Sequence, residues 1–324
     1  MNKCELTNSI QAFLNYRALE GYKINIYRRH MSQFEHWCSR KNIKYHNITD
    51  SILTEFCYEK NESEQTKRAR MNMMIQYSLY LQKCNHSLTI PRHRSANGYP
   101  TRSEPYIYSV IELKCFFKAI DNWGQSPYSH SNRVKVDPIL FRLYYGCGLR
   151  LKEALNLKRK DVDVTKGLIY IWNGKNNRSR VVPMAYSLQQ RCQEYVTLYL
   201  GADYDLESYF FYTRNPKAPA NDRAIYERFR QYLQKANIPH SGHGPRIHDL
   251  RHTFCVHRLK QWVLDKKDLN VLLPYLSKYM GHVDFRGTEY YLRLTADLYP
   301  EIVERMNVFE APLLPTLTDG RISK

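Results

Sequence analysis

Residues 89–106 read TIPRHRSANGYPTRSEPY, and this stretch constrains the fold more than any other. Its prolines, glycine and serines carry no apolar repeat, so neither a helix interior nor a central strand can run through it. The patterns on either side differ in kind. The sequence therefore predicts two domains: a helical one over 1–88, a linker over 89–105, and a larger mixed one over 106–300. Residues 301–324 follow as a tail.

The first domain reads as four amphipathic helices. SIQAFLNYRALEG aligns Ile10, Phe13, Leu14 and Ala18, with Gly21 to stop it, and INIYRRHMSQFEHWC aligns Ile24, Tyr27, Met31, Phe34 and Cys38. TDSILTEFCYEK has a cap at Thr49 or Asp50 over Ile52, Leu53, Phe56 and Cys57. SEQTKRARMNMMIQYSLYLQKC presents Ala69, Met73, Tyr77, Tyr80 and Cys84 to the core, leaving Lys67, Arg68 and Arg70 as an exposed basic cluster.

Beyond the linker, VIELKCFFKAI is a helix capped by Ser109, and PILFRLYYGCGLRLKEALNL is a helix, a glycine-punctuated turn and a second helix start. GLIYIWNGKNNRSRVVPM alternates about Asn173-Gly174, a hairpin signal. Helices then dominate through DLNVLLPYLSKYM. The expected fold class is mainly α with a small antiparallel β-sheet: a helical domain plus a mixed α/β domain.

Charge narrows the partner. With 49 Lys+Arg against 31 Asp+Glu the net charge is +18, and the excess is spread along the chain. Residues 1–105 carry 16 basic and 9 acidic residues, the remainder 33 and 22. Two positive halves suit one polyanion, so nucleic acid is the expected partner. No run reaches the roughly 18 apolar residues of a membrane span. MNKCELTNSIQ lacks a secretory signal, and the eight cysteines form no CxxC pair. A cytoplasmic protein with reduced, buried thiols is expected.

RIHDLRHTF (246–254) poses the chemical question. On a helix His248, Arg251 and His252 share one face. Two histidines four apart suit zinc, but Asp249 stands where a zinc protease carries its general-base Glu. His257 falls off the pair's face, and an arginine between the two repels a cation. A phosphate is the better tenant: guanidinium makes paired charge-assisted hydrogen bonds to it, and histidine and lysine can move its protons. No cofactor is expected.

GCGLRLKEALNL (146–157), NGKNNRSRVVPM (173–184), HDLRHTF (248–254) and MGHVDFRGTEYYLRL (280–294) occur in that order. Together they resemble the signature blocks of the tyrosine recombinases, the phage-integrase family of DNA breaking-rejoining enzymes. The resemblance covers residues 106–300, and 1–88 resembles that family's core-binding domain. It implies Arg150 as the first catalytic arginine and Glu153 as its acidic support. It implies Lys175 as the hairpin lysine that protonates the leaving oxygen, His248 and Arg251 as the H-x-x-R box, and His282 as the following histidine. His252 would support the box. The family's nucleophile lies nine residues after the histidine of its Gly-His pair, which selects Tyr291 over its neighbour Tyr290, with Thr288 three before it.

Singly these residues have ordinary readings, such as a surface arginine or a core histidine; four blocks in sequence do not. Lys67, Arg68 and Arg70 of the first domain, Arg92 and Arg94 in the linker, and Arg178 and Arg180 after the hairpin, are expected on DNA. The resemblance further implies double-stranded target sites, a homotetramer on synapsed DNA, and strand transfer needing neither metal nor ATP. GTEYYLRLTADLYPEI looks most like integrases of bacterial mobile elements. No arm-binding domain is expected ahead of the first helices, which makes a large accessory complex unnecessary while leaving room for accessory proteins. LRLTADLYPEIVERMNVF is a candidate docking segment for a neighbour. A non-cutting DNA-bridging relative and a type IB topoisomerase are the alternatives.

Overall fold

A computed structural model of the chain describes residues 2–22, 24–93, 104–124, 133–172, 174, 178–201, 205–212, 215–241, 244–282 and 286–298. Lys175, Arg94 and the segment from 299 onward lie outside them. The chain divides into two compact units, Met1–Arg102 and Ser103–Lys324. The fold is mainly α with one small antiparallel sheet, as the sequence predicts.

The first unit holds α1 (Asn2–Leu19), α2 (Asn25–Arg40), α3 (Asp50–Tyr58) and α4 (Glu64–Lys83). Gly21, at φ +82°, ends the first helical run, with Tyr22 N–H donating to the Arg17 carbonyl. Thr49 caps α3 through Ile52 N–H. Phe13, Phe34, Trp37, Phe56 and Tyr77 fill the core.

Two expectations here are corrected. In α1 the stripe closes on Arg17 rather than Ala18: Ala18 is exposed, and the buried Arg17 lies 3.7 Å from the Tyr22 ring. In α4 the buried face is Arg70, Met71, Met73, Met74, Tyr77, Ser78 and Leu81, and Ala69 and Cys84 face solvent. Arg70 is 4% exposed and bridges Glu62 (2.5 Å) and the Cys57 carbonyl (3.4 Å), so it is not free for DNA. Its long stem lies in the core while its head reaches a carboxylate, which an apolar-stripe reading misses. Lys67 pairs with Glu64 at 2.9 Å, Arg68 is half-buried and Arg92 is exposed.

The second unit begins with α5 (Val110–Asp121), closed by the reciprocal Ser109–Glu112 capping box, and α6 (Arg133–Gly146). The short α7 (Leu151–Leu155) leads to β1 (Val162–Asp163), β2 (Leu168–Ile171) and β3 (Arg180–Pro183), an antiparallel sheet in that order. Ile171 pairs with Arg180, and Asn173 of the expected Asn-Gly turn lies outside the described residues. Then come α8 (Tyr186–Tyr195), extended by a π-helical turn over Val196–Leu200, α9 (Asp222–Lys235), α10 (Ile247–Leu264), α11 (Leu269–Met280) and α12 (Arg286–Leu298). α10 packs against both α6 and α12.

One core gathers Phe116, Phe141, Phe229 and Tyr232; a second joins Cys255, Val256, Leu273, Met280 and Tyr291. Of the described cysteines, 84 and 115 are exposed and the others buried, and all are free thiols. No helix among the described residues is long and apolar enough to cross a membrane.

Removing the interior guanidinium tests the corrected face. Arg70→Ala removes the guanidinium that pairs with Glu62 and leaves a void beside α4, and is expected to cost roughly 2–3 kcal/mol in urea unfolding. An unchanged midpoint would return Arg70 to the surface.

Candidate active site

α6 must stop before Arg150, and Gly148 at φ +57° turns the chain there. A Cβ at 148 would come within 2.8 Å of the Phe254 ring, so the position has no room for a side chain. Arg150 then begins α7. Its backbone N–H donates to Glu153 Oε2 (2.9 Å), its Nη1 to Glu153 Oε1 (2.7 Å), and its Nη2 to the Gly281 carbonyl (2.8 Å).

Glu153 also receives Arg180 of β3, through Nη1 to Oε1 (2.9 Å) and Nη2 to Oε2 (2.8 Å). Burial raises the Glu153 carboxyl, but hydrogen bonds and charge from Arg180 and Arg150 outweigh it and hold the group at about 2. One carboxylate therefore stays ionised between two guanidiniums.

α10 starts where Asp249 accepts from Arg246 N–H (2.7 Å) and pairs with its guanidinium. That occupies the acid of the zinc-like motif as a helix cap. His257, the other ligand considered, meets the Tyr145 hydroxyl at 3.1 Å instead. Among the described residues no three His, Cys, Asp or Glu side chains group to hold a metal ion.

Arg251, 2% exposed, donates Nη1 to the Gly148 carbonyl and Nη2 to the Met280 carbonyl (2.5 Å). Burial, then the charge of Arg150, lowers it to about 10, with Tyr291 and Glu153 opposing, so it remains a cation at neutral pH. His248 and His252, one turn apart, meet edge to face at 4.6 Å. Burial and the surrounding arginines depress them to about 4 and about 3, so both rings are neutral at pH 7. His252 Nδ1 is buried with no hydrogen-bond partner.

α11 ends at Gly281, φ +64°, and His282 N–H returns to the Ser277 carbonyl at 3.0 Å. This turn aims His282 at α12. Its Nδ1 shares a hydrogen bond with the buried Thr288 hydroxyl at 2.9 Å, and its ring stacks on Tyr291 (5.8 Å, 16°). The His252 ring approaches the same phenol at 5.4 Å. Tyr291 is 4% exposed. Burial pushes its hydroxyl well above the ordinary phenol range, and Arg251 pulls the other way. Tyr290 lies alongside, half-buried, its ring 5.7 Å from that of Tyr291.

Arg150, Glu153, His248, Arg251, His252, His282 and Tyr291 thus belong to one connected set drawn from α7, α10, the end of α11 and α12. Arg178 is exposed, and its carbonyl accepts Gly174 N–H at 3.0 Å. Arg180 belongs to the set, although it was expected on DNA. The signal was in β3's alternation, since Arg180 shares the face of the buried Val182.

The sequence profile of the phage integrase family matches residues 126–297. The protein named integrase/recombinase y4rB of Sinorhizobium fredii is 27% identical over 308 residues, covering 92% of this chain and 96% of that protein. Tyrosine recombinase XerA of Pyrococcus horikoshii is 24% identical over 298 residues, covering 82% and 97%. The Tn1549 transposon integrase, solved with a circular intermediate DNA, shares the fold at a TM-score of 0.61 and 17% identity, covering 87% and 94%.

Two measurements probe this geometry. Gly281→Ala forces a left-handed alanine whose Cβ would lie 2.9 Å from Arg180 Nη1, and is expected to cost at least ~1–2 kcal/mol in denaturant unfolding. An unperturbed midpoint would contradict the tight αL turn. For pH, His248 and His252 bind protons more weakly folded than unfolded, so stability falls as pH drops below their ordinary 6.5, with the loss continuing towards about 4 and 3. His248→Gln with His252→Gln should flatten the stability profile between pH 7 and 5, above the range where Glu153 contributes. His30 and His257 are depressed too, so some slope remains.

Proposed function

The chain belongs to the phage integrase family, and on that premise we propose that it is a site-specific DNA recombinase acting through a covalent 3′-phosphotyrosyl intermediate. The observation that carries this reading is the set around Tyr291: a sheltered phenol between two imidazoles, beside a buried guanidinium, with a second guanidinium oriented by Glu153.

A free phenol has pKa ≈ 10, so only on the order of one in a thousand is ionised at pH 7. Burial makes Tyr291 less acidic still. Attack therefore has to be coupled to proton loss; His252 and His248 are unprotonated, and the incoming phosphate, by offsetting the arginines that depress them, makes them better able to accept a proton. The Tyr291 oxygen bonds to phosphorus as the bond to the 5′-oxygen breaks. Arg150 and Arg251 neutralise the charge growing on the non-bridging oxygens; each guanidinium has five N–H donors and spends two on the contacts above. Lys175 delivers the proton to the departing 5′-oxygen. Rejoining is the reverse, with an incoming 5′-hydroxyl as nucleophile. The phosphotyrosyl ester keeps the energy of the broken bond, so no ATP is consumed, and the cations present do the work a divalent metal would do.

At 4% exposure Tyr291 has to be uncovered before phosphorus can reach it, so α12 shifts on binding. The substrate is a duplex target site in the cytoplasm, held by both domains, with four protomers pairing two sites. The basic surface of residues 1–105 suits the first domain to that grip. The DNA-bound Tn1549 integrase and the mobile-element wording of the tyrosine block favour integration or excision of a DNA element.

On a nicked suicide duplex, Tyr291→Phe is expected to bind DNA but leave no denaturation-resistant adduct, while wild type forms one in EDTA. Adduct of undiminished yield from Tyr291→Phe would transfer the nucleophile to Tyr290. Wild-type adduct that vanishes in EDTA would contradict the metal-free chemistry.

A further inference from the structure

We propose that Arg180 is a positioning residue for strand cleavage, which fixes Arg150 through their shared Glu153 and ties β3 to the end of α11. The inference rests on the recombinase reading above and adds a member to its machinery.

Three contacts account for the Arg180 side chain. Nη1 and Nη2 bind the two oxygens of Glu153, and Nε donates to the Tyr279 carbonyl at 2.9 Å. The side chain is 10% exposed, and its two terminal nitrogens are held in a bidentate pair with Glu153. Gly281 lies against the guanidinium so closely that a Cβ there would meet Nη1, Cζ and Nε at 2.9–3.2 Å. Arg180 is thus wedged between Glu153 and the turn that presents His282.

The electrostatic consequence follows from counting charges. Glu153 paired with Arg150 alone would cancel the charge that a scissile phosphate needs. With Arg180 in place, two cations share one anion and a net positive charge is left for the DNA. Four hydrogen bonds converge on the carboxylate, two from Arg150 and two from Arg180. Losing Arg180 removes half of them and leaves Glu153 free to swing or to take a proton.

The groups that face Glu153 are Arg150 at the start of its own helix, Arg180 from β3, and His248 and Arg251 from α10. Arg180 supplies the largest influences holding the carboxyl down against burial. Its removal therefore raises the Glu153 pKa and exposes a titration that wild type lacks near neutral pH. Gly174 lies beside this pair, since a Cβ there would be 3.5 Å from Glu153 Oε1.

The test uses the full chain and a nicked duplex bearing its target site, with equilibrium DNA affinity and single-turnover cleavage at saturating protein measured between pH 5.5 and 8. Arg180→Gln is expected to keep affinity and lose cleavage on the order of 100-fold, as misplacement of a reacting group does. Its rate should fall further as pH drops. That added dependence should vanish in Arg180→Gln/Glu153→Gln, which should be no slower at pH 7.5 than the single variant. Arg180→Lys, which keeps the charge but not the paired geometry, should recover part of the rate and excludes misfolding as the cause. Affinity lost with cleavage at saturation intact would overturn the proposal and make Arg180 a phosphate contact. A pH profile parallel to wild type, with additive losses in the double variant, would overturn it as mere structural damage. Wild type forming no adduct would overturn the recombinase reading itself.

Discussion

A single buried guanidinium holds the site together. Arg251 sits in the middle of the unit with its charge intact, and the carbonyls that satisfy it belong to Gly148 and Met280, more than a hundred residues apart in sequence. Charge-assisted hydrogen bonds contribute roughly 1.5–3 kcal/mol each, and the cost of leaving such a cation unpaired in the interior is larger. Both carbonyls lie at chain reversals that place functional side chains, Arg150 two residues after one and His282 two residues after the other. The geometry proposed for catalysis and the packing of α10 therefore rest on the same contacts.

Protonation states follow from that arrangement. Burial, and then the nearby arginines, keep His248 and His252 neutral, while hydrogen bonds and charge from Arg180 and Arg150 keep Glu153 ionised. Tyr291 is held protonated by burial beside Arg251, which lowers the cost of ionising it once a phosphate arrives. On the proposed mechanism the sheltered phenol and neutral imidazoles are chemically quiet until DNA completes the site. This fits an enzyme whose untimely reaction would break chromosomes.

Much of this was legible in the sequence because it is local. The helix-glycine-helix at 146–155, the one-face placement of His248, Arg251 and His252, and the spacing from His282 to Tyr291 are short-range patterns, and each keeps its geometry in the fold. What escaped depended on long side chains and tertiary partners. Arg70 and Arg180 read as surface cations, yet both find carboxylates in the interior, Glu62 and Glu153. The carbonyl partners of Arg251 have no sequence signature at all. Across β2 and β3 Ile171 pairs with Arg180, a register that an Asn-Gly signal cannot reveal.

The central claim is that one phenolic oxygen, that of Tyr291, becomes bonded to DNA phosphorus. Trapping wild type on a nicked target duplex, digesting the DNA to a short remnant and sequencing the modified peptide by mass spectrometry tests this directly. The account predicts the nucleotide remnant on Tyr291, linked through a 3′-phosphate. A remnant on Tyr290 or any other side chain, or one linked through a 5′-phosphate, would contradict it.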